Sequence, residues 1–274
     1  MSAFVIDHDY HIHSQLSSCS RDPEQTPERI LKYAEDNGFR EICLTDHFWD
    51  EAVPGASGWY APQNLAHIKE ALPLPQSDKV RFLFGCETDM DKFFTVGISE
   101  KTCLEMDFII VPTTHLHMSG FTIDASVGLG DDENAIKIRT DLYVERFRRL
   151  LEYDLPFRKV GIAHLSCGLV CKNPPGSILK VLAGIPDETF RELFTKTAKL
   201  GMGVELNLNP NLFEGEDKRE QFRPYFIAKE CGCKFYFGSD AHHPAGLDGA
   251  FARFTAISEY LGLEESDKFA PARI

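Results

Sequence analysis

Apolar and polar positions fall into two alternating patterns along the chain. Short apolar runs that end abruptly in ionisable residues are separated by longer stretches with apolar residues three or four positions apart. The short runs, residues 9–13, 41–45, 80–86, 106–111, 159–163, 203–208 and 234–238, read as buried strands. Between them the spacing predicts helices. Thr26 as cap, Pro27 at the first helical position, the stripe Ile30, Leu31 and Ala34 and the stop Asn37-Gly38 mark the first. Others are predicted over 63–71, 140–151, 187–200 (stopped by Gly201), 219–230 and 247–261. In 140–151, Leu142, Tyr143, Phe147, Leu150 and Leu151 share one face, which leaves Arg146, Arg148 and Arg149 on a solvated one. The Pro- and Gly-containing stretch 48–62, with Trp49, Trp59 and Tyr60, reads as a long loop placed to act as a lid, and the Gly/Asp-rich stretch 118–134 as a second loop. No repeat stands out beyond the strand–helix alternation itself.

Strands alternating with helices over the whole length imply parallel β-α units, and in closed barrels of such units the functional site lies at the C-terminal strand ends. Those ends carry His11 and His13, His47, Glu87, His115, His164, Asp240 and His242. All are metal-ligand types. In a strand, His11 and His13 point to one face, so both imidazoles reach one point in space. Six imidazoles and two carboxylates exceed what one four-coordinate ion requires, which implies two or three ions.

Composition narrows the picture further. The 274 residues suit a single α/β domain over 1–274, and no apolar run approaches the length of a membrane helix. The start of the chain lacks the basic and long apolar parts of a signal peptide, so a cytoplasmic location is expected. The eight cysteines lie mostly in apolar surroundings and show no paired Cys-x-x-Cys spacing, which fits reduced thiols. A formal net charge of −13 repels polyanions and counts against binding long nucleic acid, while leaving room for a small anionic substrate beside bound cations.

The ordered set His11-Ile12-His13, Thr45-Asp46-His47, Gly85-Cys86-Glu87, Thr114-His115, Ala163-His164 and Gly238-Ser239-Asp240-Ala241-His242 resembles the successive motifs of the polymerase and histidinol phosphatase (PHP) superfamily of metal-dependent phosphoesterases. The resemblance spans nearly the entire chain. It implies a distorted (β/α)7 TIM-like barrel with a trinuclear centre of zinc, iron or manganese. It assigns His11, His13, Glu87 and Asp240 to a first ion, bridging Glu87 with His115 and His164 to a second, and His47 with His242 to a third. The third site in the family takes a further ligand, usually His, from the loop after His-x-His. Here that position holds Cys19, with Asp22 as the alternative.

The implied chemistry is hydrolysis of a phosphomonoester of a small organic molecule, with Asp240 or a histidine such as His242 moving the proton to the leaving group. Residues 143–164 and the chain length are similar to the histidinol-phosphatase branch, which makes L-histidinol phosphate a candidate substrate. The alternative is a nuclease or nucleotide phosphoesterase of the same superfamily. Arg21 and Arg139 are candidates for binding phosphate, and His117 and His243, next to expected ligands, for assisting at the substrate.

Overall fold

The first strand, β1 (His8–Ile12), is buried along its entire length, and the barrel is built outward from it. The computed structural model describes residues 2–128, 130–172, 174 and 176–273. Six further strands follow, β2 (Glu41–Leu44), β3 (Arg81–Glu87), β4 (Phe108–Pro112), β5 (Val160–Ala163), β6 (Gly203–Leu206) and β7 (Lys234–Phe237). Each pairs in parallel with the next, in the order β1 to β7. This is the (β/α)7 barrel expected.

The seam between β7 and β1 closes differently. Among the described residues only an isolated bridge, Ile12 to Ala241, stands at this seam, with no continuous ladder. Phe237 N donates to His8 Nε2 (3.1 Å), Ser239 N to Asp9 Oδ1 (3.0 Å), Asp240 N to His11 O (2.7 Å) and His13 N to Ala241 O (3.0 Å). The side chains of β1 thus supply part of the pairing, as backbone groups buried at a sheet junction require. Burial keeps His8 uncharged although its Nδ1–H donates to Asp7 Oδ1, which leaves Nε2 free to accept.

A register shift lies between Asp9, opposite Ile42, and Ile12, opposite Leu44. The bulge turns Tyr10 into the barrel interior with its neighbour His11, where strict alternation would put one of them outside. Tyr10, Cys43, Leu83, Phe108, Ile110, Ala163 and Tyr236 form the inner core, and Phe269 of the C-terminal segment closes it. The outer core, which includes Ile12, Ile42, Ile109, Ile162 and Val204, packs against the helices.

The helices are α1 (Pro27–Asp36), α2 (Leu65–Ile68), α3 (Glu100–Cys103), α4 (Glu133–Leu150), α5 (Ser177–Ala183), α6 (Asp187–Leu200), α7 (Gly215–Glu230), α8 (Pro244–Leu247) and α9 (Ala250–Leu261). Thr26 caps α1 and Gly201 ends α6 in the left-handed conformation, as their sequences dictate. The largest difference from expectation is α4, which begins at Glu133 because the Asp132 side chain accepts from Ala135 N at its start. The second loop is shorter accordingly. Arg146 is fully buried rather than solvated, since the end of α4 leans on the strand-end loops and buried carbonyls there need donors. No helix among the described residues is long and apolar enough to cross a membrane.

Asp7 ties the start of the barrel to the C-terminal segment through Lys268 Nζ (3.0 Å). Burial works against its charge, but the bonds from His8 and Lys268 prevail and hold its carboxyl down to about 2. A depressed acid stabilises the fold above its ordinary value of 3.8, and that contribution fades as pH falls through about 2. Asp7→Asn is therefore expected to lose about 1 kcal/mol at pH 7, discounted for solvent screening, and progressively less on acidification. Urea unfolding of both proteins across that range checks it.

Candidate metal centre

The eight strand-end residues converge at the C-terminal mouth of the barrel. His11, His13, His47, Glu87, His115 and His164 are buried, while Asp240 and His242 each keep about a quarter of their side chain exposed (24%). Three overlapping groups, His11–His13–Asp240, His11–Glu87–His164 and His13–His47–His242, each bring one ligand atom per residue within 4.8 Å of the others. His11 and His13 face each other with Nε2 atoms 3.0 Å apart. Glu87 lies at the centre of the cluster. Its Oε2 is 2.9 Å from His47 Nδ1 and 3.3 Å from His13 Nε2, and its Oε1 is 3.8 Å from both His115 Nε2 and His164 Nδ1.

These buried groups fit a cation. Both Glu87 oxygens, His47 Nδ1 and both ring nitrogens of His164 have no hydrogen-bond partner among the described residues, although His47 and Glu87 stand close; their angle makes no bond. Buried polar atoms without partners are costly, and a divalent ion satisfies all of them at once. Burial opposes charge throughout the cluster, yet the imidazoles hold Glu87 and Asp240 well below the usual carboxylate range, and the carboxylates raise His13 to about 9. Burial and the neighbouring His13 push His242 down to about 3, which keeps its ring neutral.

The geometry is held from behind. His11 Nδ1 is bonded to Glu205 (2.5 Å), whose other oxygen accepts from His164 N (3.0 Å). His13 Nδ1 meets Ser17 Oγ (2.9 Å), which donates to Asp46 (2.6 Å), and His115 Nδ1 meets Asp89 (2.9 Å). Each of these bonds fixes which ring nitrogen faces the centre. His164 (φ +61°) and Asp240 (φ +54°) adopt left-handed backbone conformations, a strained state for both residue types, and the bonds at their N–H groups hold them there. Gly238 is required: a Cβ there would strike Glu205 Oε1 and His11 Cβ.

Glu205, Asp46 and Asp89 were not singled out in the sequence as parts of a site. Glu205 alternates with Val204 and Leu206 in the middle of a strand that is buried along its length, and a carboxylate in such a place was the available signal.

A cavity of about 640 Å³ opens over the cluster. His117, Cys19, Trp59 and Tyr60 share its wall with the expected ligands. Cys19 is exposed and stands outside the three ligand groups. Partial enclosure by the cavity wall, then the charges of Glu87 and Asp240, push its thiol upward. Asp22, Arg21, Arg139 and His243 do not line this cavity. Asp22 caps a local turn through Glu24 N (2.9 Å), Arg21 is exposed, and His243 accepts from Gly246 N (3.1 Å) at the start of α8. Arg139 is buried with its guanidinium on Gly128 O (2.7 Å). Of the aromatic residues in the first loop, Trp49 and Tyr60 are packed inside, Tyr60 donating to Asp89 (3.1 Å), while Trp59 lies partly open with its ring 5.0 Å from that of His47.

Fold and site together define a parallel α/β barrel whose mouth carries a histidine–carboxylate cluster able to hold metal. The PHP domain model matches residues 9–239, and the chain belongs to the PHP domain family. No curated protein matches the sequence. Among solved structures, the chain is similar to histidinol phosphate phosphatase (HisK) of Lactococcus lactis subsp. lactis Il1403 in complex with zinc, L-histidinol and phosphate. The TM-score is 0.60 at 18% identity, covering 96% of this chain and 98% of that one. It is also similar to the putative histidinol phosphatase HisK of Listeria monocytogenes (TM-score 0.62, 15% identity, 89% and 98% covered).

Proposed function

We propose that this protein is a metal-dependent phosphomonoesterase acting on a small organic substrate, with two or three divalent ions at the barrel mouth. The observation that carries this reading is the set of three overlapping ligand groups beneath a cavity. His11, His13, Glu87 and Asp240 would hold one ion, Glu87 with His115 and His164 a second, and His47 with His242 a third, with Cys19 or Asp22 as its further ligand. Bound zinc, iron or manganese supplies an acidified water and positive charge toward the phosphoryl oxygens.

The chain's own residues do the rest. No Lys or Arg among the described residues lines the cavity, so the charge of the phosphate is left to the cations. Asp240 lies at the cavity wall with about a quarter of its side chain exposed, and His11, His13 and His164 keep it ionised. It therefore accepts the proton of the attacking water and passes it to the departing alkoxide, with His242 beside it. Trp59 and Phe121 offer apolar surface to the organic part, and His117, kept neutral by burial and by the adjacent His115, faces the same space. Histidinol phosphate is the first substrate to test, on the likeness to the Lactococcus enzyme.

A panel of histidinol phosphate, sugar phosphates, nucleotides and single-stranded DNA, read beside metal analysis of the purified protein, decides the matter. Turnover of monoesters is expected to disappear on chelation and return with divalent metal, and His11→Ala is expected to lose about a thousandfold or more. Trace metal only, with unchanged turnover in His11→Ala, would sink the proposal. Activity confined to DNA would replace it with the nuclease reading.

A further inference from the structure

A second cavity, of about 530 Å³, lies beside the metal centre between the loops that follow β5, β6 and β7. The chain carries 42 acidic residues, yet among the described residues no carboxylate lines this space. Among the described residues its one charged wall residue is Arg253. Around it stand the amides of Asn207, Asn209 and Gln221, and the floor is the start of α9, whose first turn has no side-chain cap.

Gln221 is the telling residue. It is 1% exposed, lines the cavity, and its Oε1 has no partner among the described residues. A buried amide left this way costs free energy that a bound partner returns. Asn207 makes no side-chain hydrogen bond to the described residues either. Asn209 uses only its oxygen, to accept from Asn211 N (2.9 Å). Arg253 spends one Nη2 bond on Ser239 O (3.2 Å), and its Nε is buried without an acceptor.

We propose that this cavity binds a small hydroxylated anion, a sugar or polyol bearing a carboxylate or a phosphate-like group. The anionic end pairs with Arg253 and the free N–H groups opening α9. Its hydroxyls meet amides, which donate and accept at once. The site is separate from the metal centre and does not depend on the phosphatase reading.

Glucose 6-sulfate and glucuronate serve as probes that a phosphatase does not consume, with glucose and inorganic sulfate as the neutral and bare-anion comparisons. In calorimetric titrations the full chain is expected to bind at least one charged sugar more tightly than either comparison. Arg253→Met is expected to weaken it about tenfold or more, and Gln221→Leu severalfold. Arg253→Lys keeps the charge and is expected to retain part of the affinity, which separates lost binding from lost folding. His115→Ala, in the metal centre, is expected to bind the probe as the parent does. Whether the sulfate or the carboxylate sugar binds more tightly identifies the anionic group. No binding of either probe, or binding that survives Arg253→Met and Gln221→Leu, overturns the proposal. So does binding that disappears only with His115→Ala.

Discussion

Glu87→Ala is expected to abolish both metal loading and turnover, with the catalytic rate falling about a thousandfold or more. No other side chain is shared so widely: its two oxygens face His11, His13, His47, His115 and His164 at 2.9–3.8 Å, and neither has a hydrogen-bond donor. The five imidazoles surround this one buried carboxylate as they would surround a bridging ligand. Glu87→Gln keeps the shape and removes the charge, so it separates size from electrostatics and is expected to fail almost as completely. Thermal unfolding supplies a readout independent of activity. A ligand bound only to the folded state stabilises it by about 2.7 kcal/mol at a hundred times its dissociation constant. The parent protein is therefore expected to melt higher with added zinc than after chelation, and Glu87→Ala to show most of that difference erased. A zinc-dependent shift of undiminished size in Glu87→Ala would remove Glu87 from the centre.

The barrel was legible because its strands announce themselves at both ends, with apolar interiors and ionisable stops. His47, His115 and His164 each follow such a stop, and the structure brings all three to one mouth. Residues acting from behind were harder to see. Glu205 sits inside a strand, where the sequence pattern shows only an alternating polar position; its meaning depends on β6 lying next to β5, with β1 just beyond β7. Arg146 departs from its sequence pattern for a related reason. A helical wheel sorts arginine to the solvent side, and nothing local reveals that the carbonyls of Met90, Thr113 and Thr122 arrive there from two other segments. The early start of α4 turned on Asp132, whose capping role was hidden within an acidic run that reads equally well as a loop. The bulge in β1 is invisible to periodicity altogether, since His11 and His13 share a face with or without it.

Arg146→Met is expected to be the most destabilising single change outside the apolar core, at about 3–5 kcal/mol, because it leaves a buried charge without its partner. Arg146 and Asp89 are both fully buried and 3.3 Å apart. The guanidinium also donates to Thr113 O (2.8 Å), Met90 O (2.7 Å), Asp91 O (3.1 Å) and Thr122 O (3.3 Å), thereby joining the loops that follow β3 and β4. Asp89 in turn meets His115 Nδ1 and accepts from Tyr60 OH, so the arginine fixes the carboxylate that orients a metal-facing ring. Arg146→Lys restores a charge but not the fork of donors, and it is expected to recover part of the stability while weakening metal affinity about tenfold. Asp89→Asn removes the opposite charge. Combined with Arg146→Met it is expected to cost less than the two single changes added together, since the second substitution no longer strands an ion. Urea unfolding of the four proteins closes the cycle. Additive losses would mean that Arg146 acts through its carbonyl contacts alone and that Asp89 orients His115 without it.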